Sequence, residues 1–196
     1  MFPETFETER LAYRRLCSET ISPLELYDLT SSRSSIAVEE FQYLPWNPAE
    51  TVKEAADRLD AFEQKWDDRE RADWLIIPKE GEEDAGEIAG RAGLICRWEQ
   101  DLALPAIWLR KPFWGRGYSG ERADALLGLA FERLDFGVVA IPLHGENQKS
   151  YRAVEKYVQR HGGRYEGLLR NHAARYDEAA DHHRFSISRE EYEASK

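Results

Sequence analysis

The chain has 196 residues, of which 37 are acidic and 27 are Lys or Arg, and its formal net charge is −10. This balance excludes non-specific binding of nucleic acid through its phosphates, which requires a basic face. No apolar run approaches the roughly 20 residues that cross a bilayer, and no signal-peptide pattern opens the sequence. The cysteines Cys17 and Cys96 form no metal-ligand or disulfide spacing. We therefore expect a single cytoplasmic domain over residues 1–196, without metal, nucleic-acid or membrane partners.

The first half of the chain predicts alternating short helices and strands. Ser22 and Pro23 are favourable as the N-cap and first residue of a helix. Two prolines, Pro45 and Pro48, exclude continued helix between the next two helical patterns. The predicted elements are strands at 11–16, 73–77, 87–98 and 102–109 and helices at 23–30, 34–41 and 49–67.

The second half predicts further helices with broad apolar stripes and three more strands. Ser119 is a candidate cap for the first of these helices, and Asn147 begins the second, which carries Ala153, Val154 and Tyr157 inward. The predicted elements are helices at 119–134 and 147–161 and strands at 138–143, 164–171 and 182–188. Together the elements predict an α/β fold with a mixed sheet and helices on both faces.

A glycine-rich turn separates the strand at 102–109 from the helix that follows it. Glycine at 115, 117 and 120 tolerates positive φ and lets a ligand come close to the backbone. The first amides of the next helix lack intrahelical partners, and the positive end of the helix dipole faces the turn. With the nearby cations Arg110 and Arg116, this pattern predicts a pyrophosphate-binding turn.

The same glycines also match G-x-G-x-x-G, the motif of Rossmann dinucleotide-binding folds. That motif belongs to the first βαβ unit, with an acidic residue about 20 positions later on the second strand. Here the turn follows more than half of the chain, and Asp135 lies at the end of a predicted helix. The Rossmann alternative is therefore disfavoured.

Several motifs follow one another in order through the second half of the chain. They are Trp108–Glu121 (WLRKPFWGRGYSGE), Ala130–Leu134, Glu146–Ser150, Val154–Lys156 and Tyr165–Arg170. Together they resemble the GNAT superfamily of acyl-CoA-dependent N-acetyltransferases. Within it, the chain is most similar to the Rim-type (RimJ/RimL-like) branch, which includes enzymes that acetylate ribosomal-protein N-termini. The resemblance implies a GNAT-like mixed, mostly antiparallel central sheet with splayed central strands.

The resemblance also implies acetyl-CoA as the donor and direct transfer to a primary amine in a ternary complex. The backbone amides of 115–120 would hold the pyrophosphate, and the pantetheine would lie between the strand ending at Leu109 and the strand at 138–143. An amide near Leu109 would stabilise the oxyanion. The implied coenzyme-binding residues are Leu109, Arg110, Trp114, Gly115, Arg116, Gly117, Tyr118, Ser119, Gly120, Asn147, Ser150 and Lys156.

Two departures from the family pattern concern catalysis. The family's tyrosine acid position is Val154 here, which leaves Ser150, near the thioester sulfur, as the predicted general acid. The positions of the usual basic carboxylates are Leu104 and Ala173, so His172 is the predicted base because imidazole has a suitable intrinsic pKa. The alternatives that stay open are His144, Glu99, Glu146 and a chain of waters.

The acceptor is not fixed by the sequence. Protein N-termini, polyamines, amino sugars and amino acids are all candidates. Tyr43, Trp46 and Trp74 are candidates for lining their site, although core packing is the favoured interpretation for Trp74. Because the usual carboxylates are missing, a catalytically weak acetyl-CoA-binding or regulatory module is the second functional hypothesis. The resembling branch also makes a homodimer an expected assembly.

Overall fold

The computed structural model describes residues 1–31, 37–175 and 178–196. In these ranges the strands are β1 Thr5–Glu7, β2 Leu11–Arg15, β3 Arg71–Pro78, β4 Gly90–Arg97, β5 Leu102–Leu109, β6 Val138–His144, β7 Arg164–Arg175 and β8 Glu178–Ser188. The helices are α1 Pro23–Thr30, α2 Ala37–Phe41, α3 Val52–Asp67, α4 Tyr118–Gly128, α5 Gln148–Arg160 and α6 Arg189–Ala194. No helix in the described ranges is long and apolar enough to cross a membrane.

The strands form one open, mostly antiparallel sheet in the order β1-β2-β3-β4-β5-β6-β8-β7. This mixed α/β architecture confirms the predicted fold class. The chain divides into two compact units. The first comprises Met1–Gln42, Asn47–Leu94 and Ala106–Tyr118, and the second comprises Tyr43–Trp46, Ile95–Pro105 and Ser119–Lys196. The expectation of a single domain stays a prediction.

In the first unit, α1 and α3 pack their apolar faces with β3. The buried cluster consists of Leu16, Ile21, Leu26, Tyr27, Ala49, Ala55, Leu59, Leu75 and Ile77. The predicted start of α1 is confirmed, because Ser22 Oγ accepts a bond from the Glu25 amide at 3.2 Å and Glu25 accepts one from the Ser22 amide at 2.9 Å. This reciprocal capping box satisfies two amides that the helix leaves unpaired.

Some boundaries in the first unit differ from the prediction. The helix predicted from 49 begins at Val52, because the side chain of Thr51 caps it by accepting from the Glu54 amide at 3.1 Å. The start of the helix predicted at 34–41 lies outside the described residues. Strand β4 begins at Gly90, where an added Cβ would lie 2.1 Å from the Trp108 carbonyl oxygen. Only glycine permits this close approach of backbones.

In the second unit, β6 pairs with different strands on its two sides. Its parallel pairing with β5 comprises Leu102–Val138 and Ala103–Val139, although both strands continue through further described residues. Its antiparallel pairing with β8 runs along the whole strand, from Val138–Ser188 to His144–His182. This short parallel pairing agrees with the predicted splaying of the central strands.

Two predictions about helices of the second unit are wrong in detail. Ser119 is not an N-cap, because α4 already begins at Tyr118 and places Ser119 in its first turn. On α5 the buried residues are Val154, Tyr157 and Val158, whereas Ala153 is exposed, one position off the buried face. The apolar stripe of α4 and its π-helical continuation is buried as predicted: Ala123, Leu126, Leu127, Ala130, Phe131 and Leu134.

Candidate active site

The glycine turn of the first unit leaves β5 through a short 3-10 turn at Lys111–Phe113. Gly115 and Gly117 then adopt φ values of 80° and 82°, in the left-handed region that side chains disfavour. The predicted need for glycine is therefore confirmed at these two positions. Gly120 lies inside α4, and nothing lies within 4 Å of where its Cβ would be.

The turn presents a row of free amides. In the described part of the chain, the amides of Gly115, Arg116 and Gly117 have no hydrogen-bond partner. A Cβ added at Gly115 would also meet nothing within 4 Å, so this side of the turn is open. Successive unpaired amides in such a turn form an anion-binding concavity. The residues present therefore fit the diphosphate of a coenzyme.

Aromatic side chains hold this backbone in place. Trp114 Nε1 donates to the Leu109 carbonyl oxygen at 2.8 Å, which ties the turn to the end of β5. Phe113 is buried, and the guanidinium groups of Arg110 and Arg116 lie 5.4 and 4.9 Å from its ring centroid. These contacts stabilise the conformation of the turn without a bound ligand.

The two predicted cations have partners within the first unit. Arg116 donates to the Glu83 carbonyl oxygen and to Asp84 Oδ2, both at 2.8 Å, and the bond to Asp84 raises the pKa of Arg116. Arg110 donates to the Ile88 carbonyl oxygen at 2.8 Å and lies 3.4 Å from Glu87. The acidic connection between β3 and β4, residues 79–89, thus contacts both guanidinium groups.

A further contact of the turn, made by Arg10, was not predicted. Its Nη1 donates to the Arg116 carbonyl oxygen at 2.9 Å, and its guanidinium lies 5.2 Å from the Tyr118 ring centroid. Tyr118 in turn donates to Glu82 at 2.8 Å. Arg10 lies 106 positions before Arg116 in the sequence, so no local pattern indicates this contact.

The start of α5, in the second unit, carries the predicted Asn-x-x-Ser pair. Asn147 Oδ1 accepts from the Ser150 amide at 3.0 Å, which confirms Asn147 as an N-cap. Within the described residues, Ser150 Oγ has no hydrogen-bond partner. Val154 is buried one turn later, and Lys156 is exposed. Ser150 is thus a free hydroxyl at a helix N-terminus, where the dipole favours developing negative charge.

Three histidines of the second unit lie side by side where β6 ends. His144 pairs directly with His182 across β6 and β8, and their ring centroids are 5.8 Å apart. The His172 ring lies 5.7 Å from that of His182, and Tyr43 lies 5.1 Å from His144. We call His144, His182 and His172 the histidine row. It brings together two predicted base candidates, and sequence reasoning missed His182.

The histidine row and the start of α5 are connected through the backbone. The Asn147 amide donates to the His144 carbonyl oxygen at 2.9 Å, and the Glu146 amide donates to His144 Nδ1 at 3.2 Å. The predicted acid Ser150 is thereby tied, through its bond to Asn147, to the end of β6 that carries His144. The row and the serine therefore belong to the same end of the second unit.

Other predicted candidates differ in their surroundings. Trp74 is fully buried and donates to the Pro3 carbonyl oxygen at 2.8 Å, so it is a core residue and does not line an acceptor site. Glu99 and Glu146 are exposed. Trp46 is half-buried in the second unit.

A family model of the acetyltransferase (GNAT) domain matches residues 10–157, and the chain belongs to this family. Its fold is similar to that of a GCN5-related N-acetyltransferase from Brucella melitensis, with a TM-score of 0.79 and 23% identity over 99% of this chain and 84% of that chain. Members of the GNAT family transfer acetyl groups from acetyl-CoA to an acceptor.

Two further solved structures share the fold. A putative acetyltransferase from T. thermophilus gives a TM-score of 0.78 and 26% identity over 100% of this chain and 95% of that chain. A putative ribosomal-protein-serine acetyltransferase from Vibrio cholerae gives 0.74 and 20% identity over 96% of this chain and 99% of that chain. No curated protein sequence matches the chain significantly.

Proposed function

We propose that this protein is an N-acetyltransferase that transfers the acetyl group of acetyl-CoA directly to a primary amine within a ternary complex. The observation that carries the proposal is the glycine turn on the family's coenzyme motif, where Gly115 and Gly117 have positive φ and the amides of 115–117 have no partner among the described residues. Acetyl-CoA supplies the activated acetyl group when it is bound. The protein positions the amine against it and moves the protons.

The proposed coenzyme contacts follow from the two helix starts. The amides of Gly115, Arg116 and Gly117 bind the diphosphate, with Gly120 leaving room beside the first turn of α4. An amide near Leu109 stabilises the oxyanion. Asn147 contacts the pantetheine arm through its side-chain NH₂ group, because its oxygen already caps α5. The remaining proposed contacts are Arg110, Trp114, Tyr118, Ser119 and Lys156.

Ser150 is the proposed general acid for the departing thiolate, because its hydroxyl has no partner in the described chain. An imidazole of the histidine row, which includes the predicted base His172, accepts the proton of the amine. Removing a well-placed acid slows such a step by about 100-fold or more. The free hydroxyl and the row are attached to the same end of β6.

The proposed acceptors are the N-terminal amine of a protein and primary amines of small molecules. The fold shared with the putative ribosomal-protein-serine acetyltransferase supports testing N-terminal peptides of ribosomal proteins first. Membership of the Rim-type branch and a homodimeric assembly are part of this proposal.

Coenzyme binding and thiol release, measured separately, test the proposal. Calorimetry with acetyl-CoA gives Kd, and a thiol assay with an amine panel gives kcat. We expect Ser150→Ala to lower kcat about 100-fold with little change in Kd. Gln148→Ala, an exposed change in the same helical turn, is the control and should leave both unchanged. Equal kcat in Ser150→Ala and the parent protein would remove Ser150 from the mechanism.

The second candidate function is a binding or regulatory module that retains acetyl-CoA without transferring its acetyl group. It is supported by Leu104 and Ala173, which occupy the positions of the family's basic carboxylates. Tight acetyl-CoA binding without thiol release for any peptide, polyamine, amino sugar or amino acid would favour this module.

A further inference from the structure

The histidines of the second unit divide into two kinds by their hydrogen bonds. His183 uses both ring nitrogens, since Nδ1 lies 2.9 Å from the Tyr165 hydroxyl and Nε2 lies 3.2 Å from the Gly145 carbonyl oxygen. His182, the next residue, projects to the opposite face of β8. Its Nδ1 is buried and has no hydrogen-bond partner in the described residues. His183 is therefore a structural histidine, whereas His182 keeps a free nitrogen.

An irregularity in β7 brings the third histidine to the row. The pairing of β7 with β8 shifts register between Leu169 and Ala173, and Asn171 within the shift has φ 49°. The Asn171 amide donates to Asp181 Oδ1 at 2.9 Å and holds this distorted segment against β8. Such bulges re-aim side chains and are frequent beside active sites. Here the bulge sets His172 against His182.

Clusters of histidines also occur as metal sites in proteins. Among the described residues, no group of three or more His, Cys, Asp or Glu side chains is arranged to hold a metal ion. A buried nitrogen without a partner is uncommon in folded proteins. An incoming acceptor amine is a chemically suitable partner for the Nδ1 of His182.

We propose that His182 is the base of the acetyl transfer and that its Nδ1 takes a proton from the ammonium group of the acceptor. This inference rests on the proposed acetyltransferase function. His182 accepts one proton from R–NH₃⁺ and later releases it to solvent. The neutral amine forms the new C–N bond to the thioester carbonyl carbon as the C–S bond breaks. Ser150 passes the second amine proton to the leaving thiolate, so the products are the amide, the free thiol and one proton.

The charges around His182 suit this role. Burial lowers the pKa of His182 below its ordinary value of 6.5, and the facing imidazoles of His144 on β6 and His172 on β7 lower it further. A hydrogen bond of the His182 ring with the Ala180 backbone and the charge of Asp181, both on its own strand, partly offset this effect. A lowered pKa keeps the ring neutral at pH 7, so the nitrogen can accept a proton. His172 is exposed and lacks this shielding from water.

One test needs no enzymatic turnover. Carbon-13-labelled histidine in the coenzyme-free protein gives a titration midpoint for each imidazole by NMR. His182→Gln and His172→Gln identify two of the resonances. We expect the midpoint of His182 to lie below the ordinary histidine value of 6.5. A midpoint at or above 6.5 would overturn the assignment, and if His182→Gln does not fold, glutamine variants of the other four histidines identify its resonance by elimination.

The second test is the pH dependence of kcat/KM. His182→Gln should reduce kcat/KM about 100-fold at pH 7, and the loss should shrink toward pH 9 as more amine is neutral in solution. His161→Gln, outside the row at the end of α5, is the matched control and should retain the parent profile. If His172→Gln loses activity with this pH profile while His182→Gln does not, the base is His172 and the proposal for His182 fails.

Two results distinguish a failure of the role of His182 from a failure of the transferase function. Acetyl transfer by the parent protein with an unaltered His182→Gln variant refutes the role of His182 alone. Absence of transfer by the parent protein, with acetyl-CoA still bound, refutes both the role of His182 and the transferase function.

Discussion

The glycine turn offers main-chain groups, whereas the histidine row offers side chains. The turn offers main-chain amides from three consecutive residues, and its side chains serve to anchor it. The row offers side chains from three strands, at positions 144, 172 and 182. A main-chain site is lost when the backbone changes shape, whereas a side-chain site is lost when one group or one strand register changes. The two regions should therefore respond to different mutations.

The largest expected effect on acetyl-CoA affinity follows from a change at a positive-φ position of the glycine turn. Gly115 and Gly81 both have positive φ, 80° and 99°, and an added Cβ at either meets nothing within 4 Å. Alanine in the left-handed region costs roughly 1–2 kcal/mol, so Gly115→Ala and Gly81→Ala should lower the free energy of unfolding similarly. Only Gly115→Ala should weaken acetyl-CoA binding, by about tenfold or more, as measured by calorimetry. Equal acetyl-CoA affinities in the two variants would contradict the proposal that the backbone of the glycine turn binds the coenzyme.

A smaller effect is expected where α5 begins, because the two roles of Asn147 are separable. Asn147→Asp keeps the oxygen that caps Ser150 but loses the NH₂ donor, so stability should be retained while acetyl-CoA affinity falls about fivefold. Ser188→Ala removes the cap of α6, where Ser188 Oγ accepts from the Glu191 amide at 3.2 Å. That control should lose about 1 kcal/mol of stability with unchanged affinity. Unaltered affinity in Asn147→Asp would limit Asn147 to capping.

The anchoring of the turn should contribute less than its amides. Trp114→Phe keeps the ring but removes the bond to the Leu109 carbonyl oxygen, and Trp74→Phe removes a similar 2.8 Å bond to Pro3 in the core. Each change should lower the free energy of unfolding by about 1 kcal/mol. Acetyl-CoA affinity should fall about threefold in Trp114→Phe alone. A loss as large as that of Gly115→Ala would mean that the Trp114 side chain contributes as much to coenzyme binding as the amides of the turn.

The smallest effect concerns the histidine row and stability. Because the pKa of His182 is lower in the folded protein than its ordinary 6.5, the unfolded state binds more protons as pH falls below about 7. The folded state should therefore lose stability between pH 7.5 and 5.5. Denaturant unfolding should show a weaker pH dependence for His182→Gln than for the parent protein. An equal pH dependence of stability in the parent protein and His182→Gln would mean that a group other than His182 titrates.

The turn could be predicted because its signals are contiguous in the sequence. Gly115 and Gly117 required left-handed backbone, Ser22 and Asn147 were recognised as caps, and β5 was predicted with both of its ends. The cap assigned to Ser119 was wrong because α4 begins one residue earlier, at Tyr118.

The features that escaped prediction all depend on distant pairing. His182 faces His144 only because of the register of β6 and β8, which no local sequence pattern predicts. His172 reaches His182 through a bulge. The contacts of Arg116 with Glu83 and Asp84 require the folded connection between β3 and β4.

The acidic connection between β3 and β4 bears on how the affinity for acetyl-CoA depends on ionic strength. Glu82, Glu83, Asp84 and Glu87 already partner Tyr118, Arg116 and Arg110 beside the glycine turn. In the proposed complex, the neutral amides of the turn then supply most of the attraction for the coenzyme's diphosphate. Such short-range contacts are screened little by dissolved ions. We expect the dissociation constant for acetyl-CoA to change little with ionic strength, a property suited to a concentrated electrolyte.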